Sequence, residues 1–204
     1  MAKFPDPPAS LSTPAAIVSL SAGTMLWRVY AAGGSHPGTW NSFGFWGPTN
    51  SRFDHHDPPP KTQPKGIFYA AQRPLTCLAE YFQATRVVDR TSNSPWLVGF
   101  VTSRSLSLLD LTGTWPTKAG ASMAINSGPR PLARKWSRKI YSTYPAVEGL
   151  LYSSSLHANQ PSMALSERGI GVLPPAPVFH RALSDPSLLS RLNAAAGTLG
   201  YGLV

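Results

Sequence analysis

The chain is poor in the residues that build disulfide and zinc centres, and poor in acids. One cysteine, Cys77, stands alone among 204 residues, which excludes an internal disulfide framework and a cysteine-based zinc cluster. Asp and Glu number 9 against 18 Lys and Arg, a formal net charge of +9, and charged residues are only 13% of the chain. That balance calls for an anionic partner: nucleic acid, a phosphorylated small molecule or an acidic protein. It does not choose among them. Only three acids are glutamates, Glu80, Glu148 and Glu167, so a carboxylate-dependent mechanism has few candidates. No run approaches the roughly 18 uninterrupted apolar residues of a membrane span. Prolines interrupt the N-terminus and Asp6 sits where a signal peptide carries positive charge, so the expected compartment is cytoplasmic. G-x-G-x-x-G, G-x-x-x-x-G-K-[ST] and G-x-S-x-G motifs are all missing.

What is present supports one domain: the length allows a real core, and 42% of residues are hydrophobic. Met1 to about Ala16 reads as an extended Pro-rich arm draped over the domain, with the arm placed within residues 1–20 and the domain within 21–204. Met25 to Tyr30 alternates as a strand, with Met25, Trp27 and Val29 on one face and Leu26, Arg28 and Tyr30 on the other. Gly33 to Lys65, rich in Gly, Pro, Asn, Asp and His, reads as a long irregular loop. Strands are expected at Trp96–Val101, Leu106–Leu111, Gly149–Tyr152 and Met163–Leu165, and a basic helix at Pro131–Tyr144. A last helix runs from Leu188 to Ala196, started by Asp185-Pro186 and stopped at Gly197. Strands and helices without regular alternation predict an α+β domain with a mixed or antiparallel sheet.

The segment GIFYAAQRPLTCLAEYF, Gly66 to Phe82, carries the strongest signal. An apolar strand from Gly66 to Ala71 leads to a helix opened by Pro74, whose missing N–H is not needed in a first turn. Leu75, Leu78, Ala79 and Phe82 recur at helical spacing, and Glu80 falls off that stripe, beside Thr76 and Gln83. Glu80 is either a solvated helix residue or a site carboxylate. Arg28, within a strand of large apolar residues, is either an edge arginine reaching water or a fork for phosphate or carboxylate; Arg52 has the same two readings. His55-His56-Asp57 is a poor metal site, because adjacent histidines on extended chain point apart and no second cluster accompanies them. The cationic run Arg130 to Lys139 is a solvated helix face, a phosphate recruiter or a dock for an acidic protein.

The order Arg28, Arg52, Gly66-Ile67-Phe68-Tyr69, Leu78-Ala79-Glu80 and Gly149-Leu150-Leu151-Tyr152-Ser153-Ser154 resembles the RES domain. That family is named for its arginine, glutamate and serine, and it includes the toxins of RES–Xre toxin–antitoxin pairs. The likeness spans about Leu26 to Gly169. It implies a single compact fold similar to ADP-ribosyltransferases and cleavage of NAD+ at the nicotinamide–ribose bond, with NAD+ as substrate, inorganic phosphate as a possible co-substrate and no metal. It also implies an Xre-like helix-turn-helix antitoxin as partner. By resemblance, Glu80, Arg28 and Ser154 are catalytic, and Arg28, Arg52, Tyr69, Tyr30 and Ser154 bind the dinucleotide. Ser137, after Trp136, is the alternative serine. At Arg52 the family's G-[GR]-R-W is replaced by Asn50-Ser51-Arg52-Phe53.

The acceptor stays open: water makes an NAD+ glycohydrolase, phosphate an NAD+ phosphorylase, a protein side chain an ADP-ribosyltransferase toxin. Rivals of other classes are a basic nucleic-acid-binding module, a ribonuclease toxin, and a regulatory partner that has lost the chemistry.

Overall fold

A computed structural model describes residues 3–204. Along the chain come β1 (Ile17–Leu20), β2 (Met25–Ala31), β3 (Gly44–Gly47), β4 (Lys61–Ala71), α1 (Pro74–Tyr81), β5 (Val87–Val88), β6 (Pro95–Val101) and β7 (Leu106–Asp110). After a one-turn helix α2 (Trp115–Lys118) and a 3-10 turn (Met123–Asn126) follow α3 (Arg130–Thr143), β8 (Gly149–Ser153), β9 (Pro161–Ser166), a 3-10 turn (Glu167–Val172), β10 (Phe179–Ala182), α4 (Leu189–Leu199) and β11 (Gly202–Leu203). Nine strands share one sheet in the order β1-β7-β8-β9-β4-β2-β6-β10, with β3 paired to β4; β5 and β11 form a small parallel pair. Every pairing in the large sheet is antiparallel except β7 with β8. The architecture is therefore α+β, a mixed sheet flanked by helices, as expected.

The apolar strands are buried on both faces, which is why they read as near-continuous hydrophobic runs. In β9, Met163 and Leu165 pack with Leu26, Phe68, Phe100 and Leu108, while Ala164 turns to the opposite side with Ile67, Leu150, Tyr152 and Trp136. A third cluster, under α1 and α4, gathers Val29, Ala71, Leu78, Phe82, Leu97 and Leu192. The alternation of β2 follows its sequence: Leu26 and Val29 enter different clusters. β2 and β4 share a single register pair, Trp27 opposite Ala71.

Several expectations change. The stretch from Gly33 to Lys65 contains β3 and the start of β4, and it buries Phe43, Phe53, Asp54, His55, His56 and Gln63. Polar burial hid that order, because a strand containing Pro64 and a loop of His and Asp have no apolar period to read. Residues 17–20, assigned to the arm, form the edge strand β1 against β7. The remainder of the arm is tied to α3 and its surroundings. Phe4 and Leu11 are buried in the cluster of Trp136 and Ile140, Trp136 Nε1 donates to the Pro5 carbonyl at 2.9 Å, Lys135 pairs with Asp6 at 2.6 Å, and Trp115 Nε1 donates to Pro14 at 3.0 Å. On α1, Thr76 and Cys77 are buried along with Leu78 and Ala79, so the helix is covered well beyond one stripe. The last helix passes through Gly197 and ends at Gly200, whose φ of 66° suits the left-handed cap that glycine adopts freely.

Candidate active site

A cavity of about 520 Å³ lies against β2, β3, β4 and α1, with the N-terminal end of α3 on its border. Arg28, Arg52, Tyr69 and Glu80 all line it, so residues far apart in sequence converge on one space. Its volume falls in the range of small-molecule sites, roughly 300–1,000 Å³.

Glu80 is placed by the last turn of α1, held by Pro74 at its start and by the Leu78 and Phe82 contacts beneath it. Its Oε1 accepts from Ser154 Oγ at 2.6 Å. Ser154 is wholly buried at the end of β8, and its own oxygen accepts from the N–H groups of Leu156 and His157 at 3.3 and 3.2 Å. One turn before Glu80, Thr76 Oγ1 meets His157 Nδ1 at 2.8 Å, so α1 and the β8–β9 loop are joined twice. Burial raises the Glu80 carboxyl above the ordinary range, although the Ser154 bond and the charges of Arg52 and Arg130 pull the other way.

Arg28 donates to the Ser42 carbonyl at 2.9 Å and lays its guanidinium over the Phe68 ring, 4.1 Å from the centroid. Burial pushes its pKa down to about 10, and it stays charged at neutral pH. Arg52 donates to the Gly128 carbonyl at 2.6 Å; burial and the nearby Arg130 charge depress its pKa, against the pull of Glu80. Among the described residues, neither arginine forms an ion pair with a carboxylate. The buried Tyr69 hydroxyl lies beside Ser51 and the Phe53 backbone without a well-shaped hydrogen bond, and burial and the Asp54 charge push its pKa upward.

The loop carrying Arg52 is held from behind by Asp54 and His56, both wholly buried. Asp54 accepts from the Thr49 N–H at 2.6 Å, the Thr49 hydroxyl at 2.7 Å and the His56 N–H at 3.0 Å. His56 presents Nδ1 to Asp54 at 2.6 Å and Nε2 to the Lys65 carbonyl at 2.7 Å. The ring thus bridges the Asp54 carboxylate and the Lys65 carbonyl through its two nitrogens. Burial alone would raise the Asp54 carboxyl, but these bonds outweigh it and its pKa is lowered. Gly47 leaves the room this needs: a Cβ there would lie 2.4 Å from His56 Nδ1.

Two expected site residues stand elsewhere. Tyr30 shares a strand face with Arg28 but does not line the cavity; the edge strand β10 brings His180 over it, with rings 5.9 Å apart and Nε2 2.7 Å from the Tyr30 hydroxyl. Ser154 reaches the cavity only through Glu80, and Ser155 is the serine of that cluster on the wall. Ser137 is buried in α3 and donates to the Phe53 carbonyl at 2.7 Å, so it secures the Arg52 loop from within the core. The other glutamates are structural. Glu167 lies beside His55 and accepts from the Tyr141 hydroxyl and the Gly66 N–H, which together outweigh its burial and hold its pKa to about 2; Arg168 caps carbonyls of Tyr141, Tyr144 and Val147 instead of pairing with it. Glu148 pairs with Arg104 at 2.6 Å.

The residues not singled out in the sequence are Gln83, Asn126, Tyr152 and Ser162, all on the cavity wall, which Arg130, read only as part of the cationic run, joins. Arg130, first in α3, donates to Gln83 Oε1, and Gln83 Nε2 donates to the Glu80 carbonyl at 2.7 Å. The proline on each side of Arg130 marked a helix start, and the cationic run it opens was a candidate site only as a whole. The cationic run behind it is divided: Lys135 and Lys139 hold the arm, Arg134 reaches Asn50 at 3.3 Å, and only Arg130 enters the cavity. No group of three or more His, Cys, Asp or Glu that could hold a metal occurs among the described residues, and no helix of theirs is long and apolar enough to cross a membrane.

No curated protein matches the sequence significantly. In fold, the chain is similar to one in the crystal structure of the M. tuberculosis MbcT–MbcA toxin–antitoxin complex, with a TM-score of 0.56 over 86% of this chain and 92% of that one, at 15% identity. The RES domain model matches residues 25–183, which takes in Arg28, Arg52, Tyr69, Glu80, Ser154 and the whole wall of the cavity. The chain belongs to the RES domain family.

Proposed function

We propose that this protein is the toxin of a toxin–antitoxin pair and that it consumes NAD+ by breaking the nicotinamide–ribose bond, with inorganic phosphate or water as acceptor. One observation carries the reading: a single carboxylate, Glu80, shares a cavity with three arginines, Arg28, Arg52 and Arg130, none of which is ion-paired to a carboxylate among the described residues. Such a surplus of fixed, partly desolvated guanidinium suits a pyrophosphate. The lone carboxylate suits a reaction centre that becomes positive.

Breaking the N-glycosidic bond sends its electron pair to the pyridinium nitrogen, so neutral nicotinamide leaves and the ribose carbon gains oxocarbenium character. Glu80, ionised, stabilises that charge and accepts a hydrogen bond from the ribose 2′-hydroxyl. Ser154 keeps the carboxylate oriented. Arg28 and Arg52 hold the phosphates, and Tyr69 offers its face to the ribose or the ring. A phosphate oxygen then forms the new bond to the ribose carbon, giving ADP-ribose 1″-phosphate; water in its place gives ADP-ribose and a proton. The cationic cavity favours phosphate. Transfer to a protein side chain, an ADP-ribosyltransferase activity, is the alternative outcome. As in the toxin–antitoxin complex whose fold it shares, the partner is an antitoxin, here inferred to be of the Xre-like helix-turn-helix class, and the working compartment is the cytoplasm.

The test is to incubate the protein with NAD+ with and without inorganic phosphate, following free nicotinamide and the ADP-ribosyl product. Phosphate-dependent release with a phosphorylated product identifies the phosphorylase; phosphate-independent release to ADP-ribose identifies the glycohydrolase. No nicotinamide release rejects the reading.

A further inference from the structure

Asn126 lines the cavity and carries a buried acceptor that no donor meets. It closes the 3-10 turn Met123–Asn126, is only 5% exposed, and donates through Nδ2 to the Leu111 carbonyl at 3.0 Å. A carbonyl oxygen only accepts, so this bond fixes the orientation of the amide and leaves Oδ1 as a buried acceptor with no donor. Three other buried polar atoms make no well-shaped hydrogen bond among the described residues, but each has a polar neighbour: His55 Nε2 lies 3.6 Å from Glu167, Tyr69 Oη beside Ser51 and the Phe53 backbone, and Ser162 Oγ beside Tyr152, so Asn126 Oδ1 is the one left without any. Asn126, Tyr69 and Ser162 all line this one cavity. An unpaired buried acceptor is costly, and its place on this wall marks where a ligand's donor belongs.

We propose that Asn126 reads the carboxamide of the nicotinamide ring, with Oδ1 accepting its N–H while a hydroxyl of Tyr69 or Ser162 donates to its oxygen. The site then selects the amide form of the dinucleotide over the acid form, in which nicotinate replaces nicotinamide. This rests on the NAD+-cleaving reading above. The assignment follows from matching groups. The ribose hydroxyls suit the one charged acceptor, Glu80. The carboxamide is the ligand's neutral donor-plus-acceptor group at the reacting ring, and an uncharged acceptor on a wall that also carries the Tyr69 and Ser162 hydroxyls complements it. A nicotinate carboxylate in the same place sets two acceptors face to face with no proton between them. Sites built to hydrogen-bond a group reject analogues lacking it far more strongly than they reject a change in size.

The test compares NAD+ with nicotinic acid adenine dinucleotide on the full-length protein, following release of the free base. Wild type is expected to prefer NAD+ in kcat/KM by at least about tenfold, and Asn126→Ala to lose at least about tenfold on NAD+ while staying within about twofold on the acid form. Equal loss on both substrates means that Oδ1 takes a donor common to them, such as a ribose hydroxyl, and overturns the assignment; so does no loss on either. If Asn126→Ala fails to fold, the wild-type comparison decides alone, since equal kcat/KM for the two dinucleotides is incompatible with the proposal. If wild type releases base from neither, the cleavage reading has failed, and ligand-induced thermal shifts judge this inference separately. A larger shift with NAD+ upholds it, and equal shifts or none reject it.

Discussion

Ser154 donates to Glu80 Oε1 at 2.6 Å while its own oxygen accepts two backbone N–H groups, from Leu156 and His157. The serine's proton is thus committed to the carboxylate, and its lone pairs to the loop. It positions Glu80 and favours its ionised form. Ser154→Ala is expected to cost about tenfold to a hundredfold in activity, the worth of a hydrogen bond to a charged group. The same bond lowers the Glu80 pKa against burial. Its loss must therefore move the acid limb of the pH–rate profile to higher pH, which kcat/KM measured across pH reads directly. A lower rate with an unshifted limb contradicts the positioning role.

Glu80 is raised by burial, so the folded state binds its proton more tightly than the unfolded chain. The sign follows from linkage: this group's contribution is fully present below the ordinary glutamate value of 4.5 and is lost as pH rises through the folded value. Glu80→Gln is expected to raise the melting temperature near pH 7 and to gain less as the pH approaches 4. Thermal melts of both proteins across that range check it. A carboxylate kept at a cost to the fold is the signature of a site residue.

Arg28 combines a ring contact with Phe68 and a bond to the Ser42 carbonyl, a geometry that needs a planar guanidinium. Arg28→Lys keeps a charge but neither the stacking nor the fork. It is expected to weaken ADP-ribose binding by about tenfold or more, measured by calorimetry, with the melting temperature little changed.

The Asp54–His56 pair is wholly buried, so removing one partner strands the other's charge. His56→Ala is expected to destabilise the fold by about 3–5 kcal/mol in urea unfolding. Because the Asp54 pKa is lowered, its contribution is present above its ordinary value of 3.8 and fades as the pH falls through the folded value. The penalty of His56→Ala should likewise shrink in acid.

Periodicity made β2, the Gly66–Ala71 end of β4, α1, α3, β8 and β9 readable, since each buries large apolar residues at a regular spacing. The strand-to-helix segment with Tyr69 and Glu80 was legible for that reason, and the RES resemblance supplied Arg28, Arg52 and Ser154. What periodicity does not encode is polar burial. Asp54 and His56 sit within a stretch of Pro, His and Asp that looks solvated, yet their mutual bonds make it core. Asn126 was hidden, and Arg130 could not be told from the rest of its cationic run, because their roles depend on where a 3-10 turn and a helix start end in space. Tyr30 shows the converse: it lies on the same strand face as Arg28, but the distant edge strand β10 captures its hydroxyl through His180.

The central claim is that Glu80 breaks the nicotinamide–ribose bond inside this cavity, and one paired measurement tests it. Nicotinamide release from saturating NAD+ is followed for wild type and Glu80→Gln, with ADP-ribose affinity measured for both. The account predicts release by wild type, a loss of at least about a hundredfold in Glu80→Gln as for removal of a transition-state charge stabiliser, and ADP-ribose affinities within about threefold of each other. Release unchanged in Glu80→Gln, or none from wild type, contradicts it.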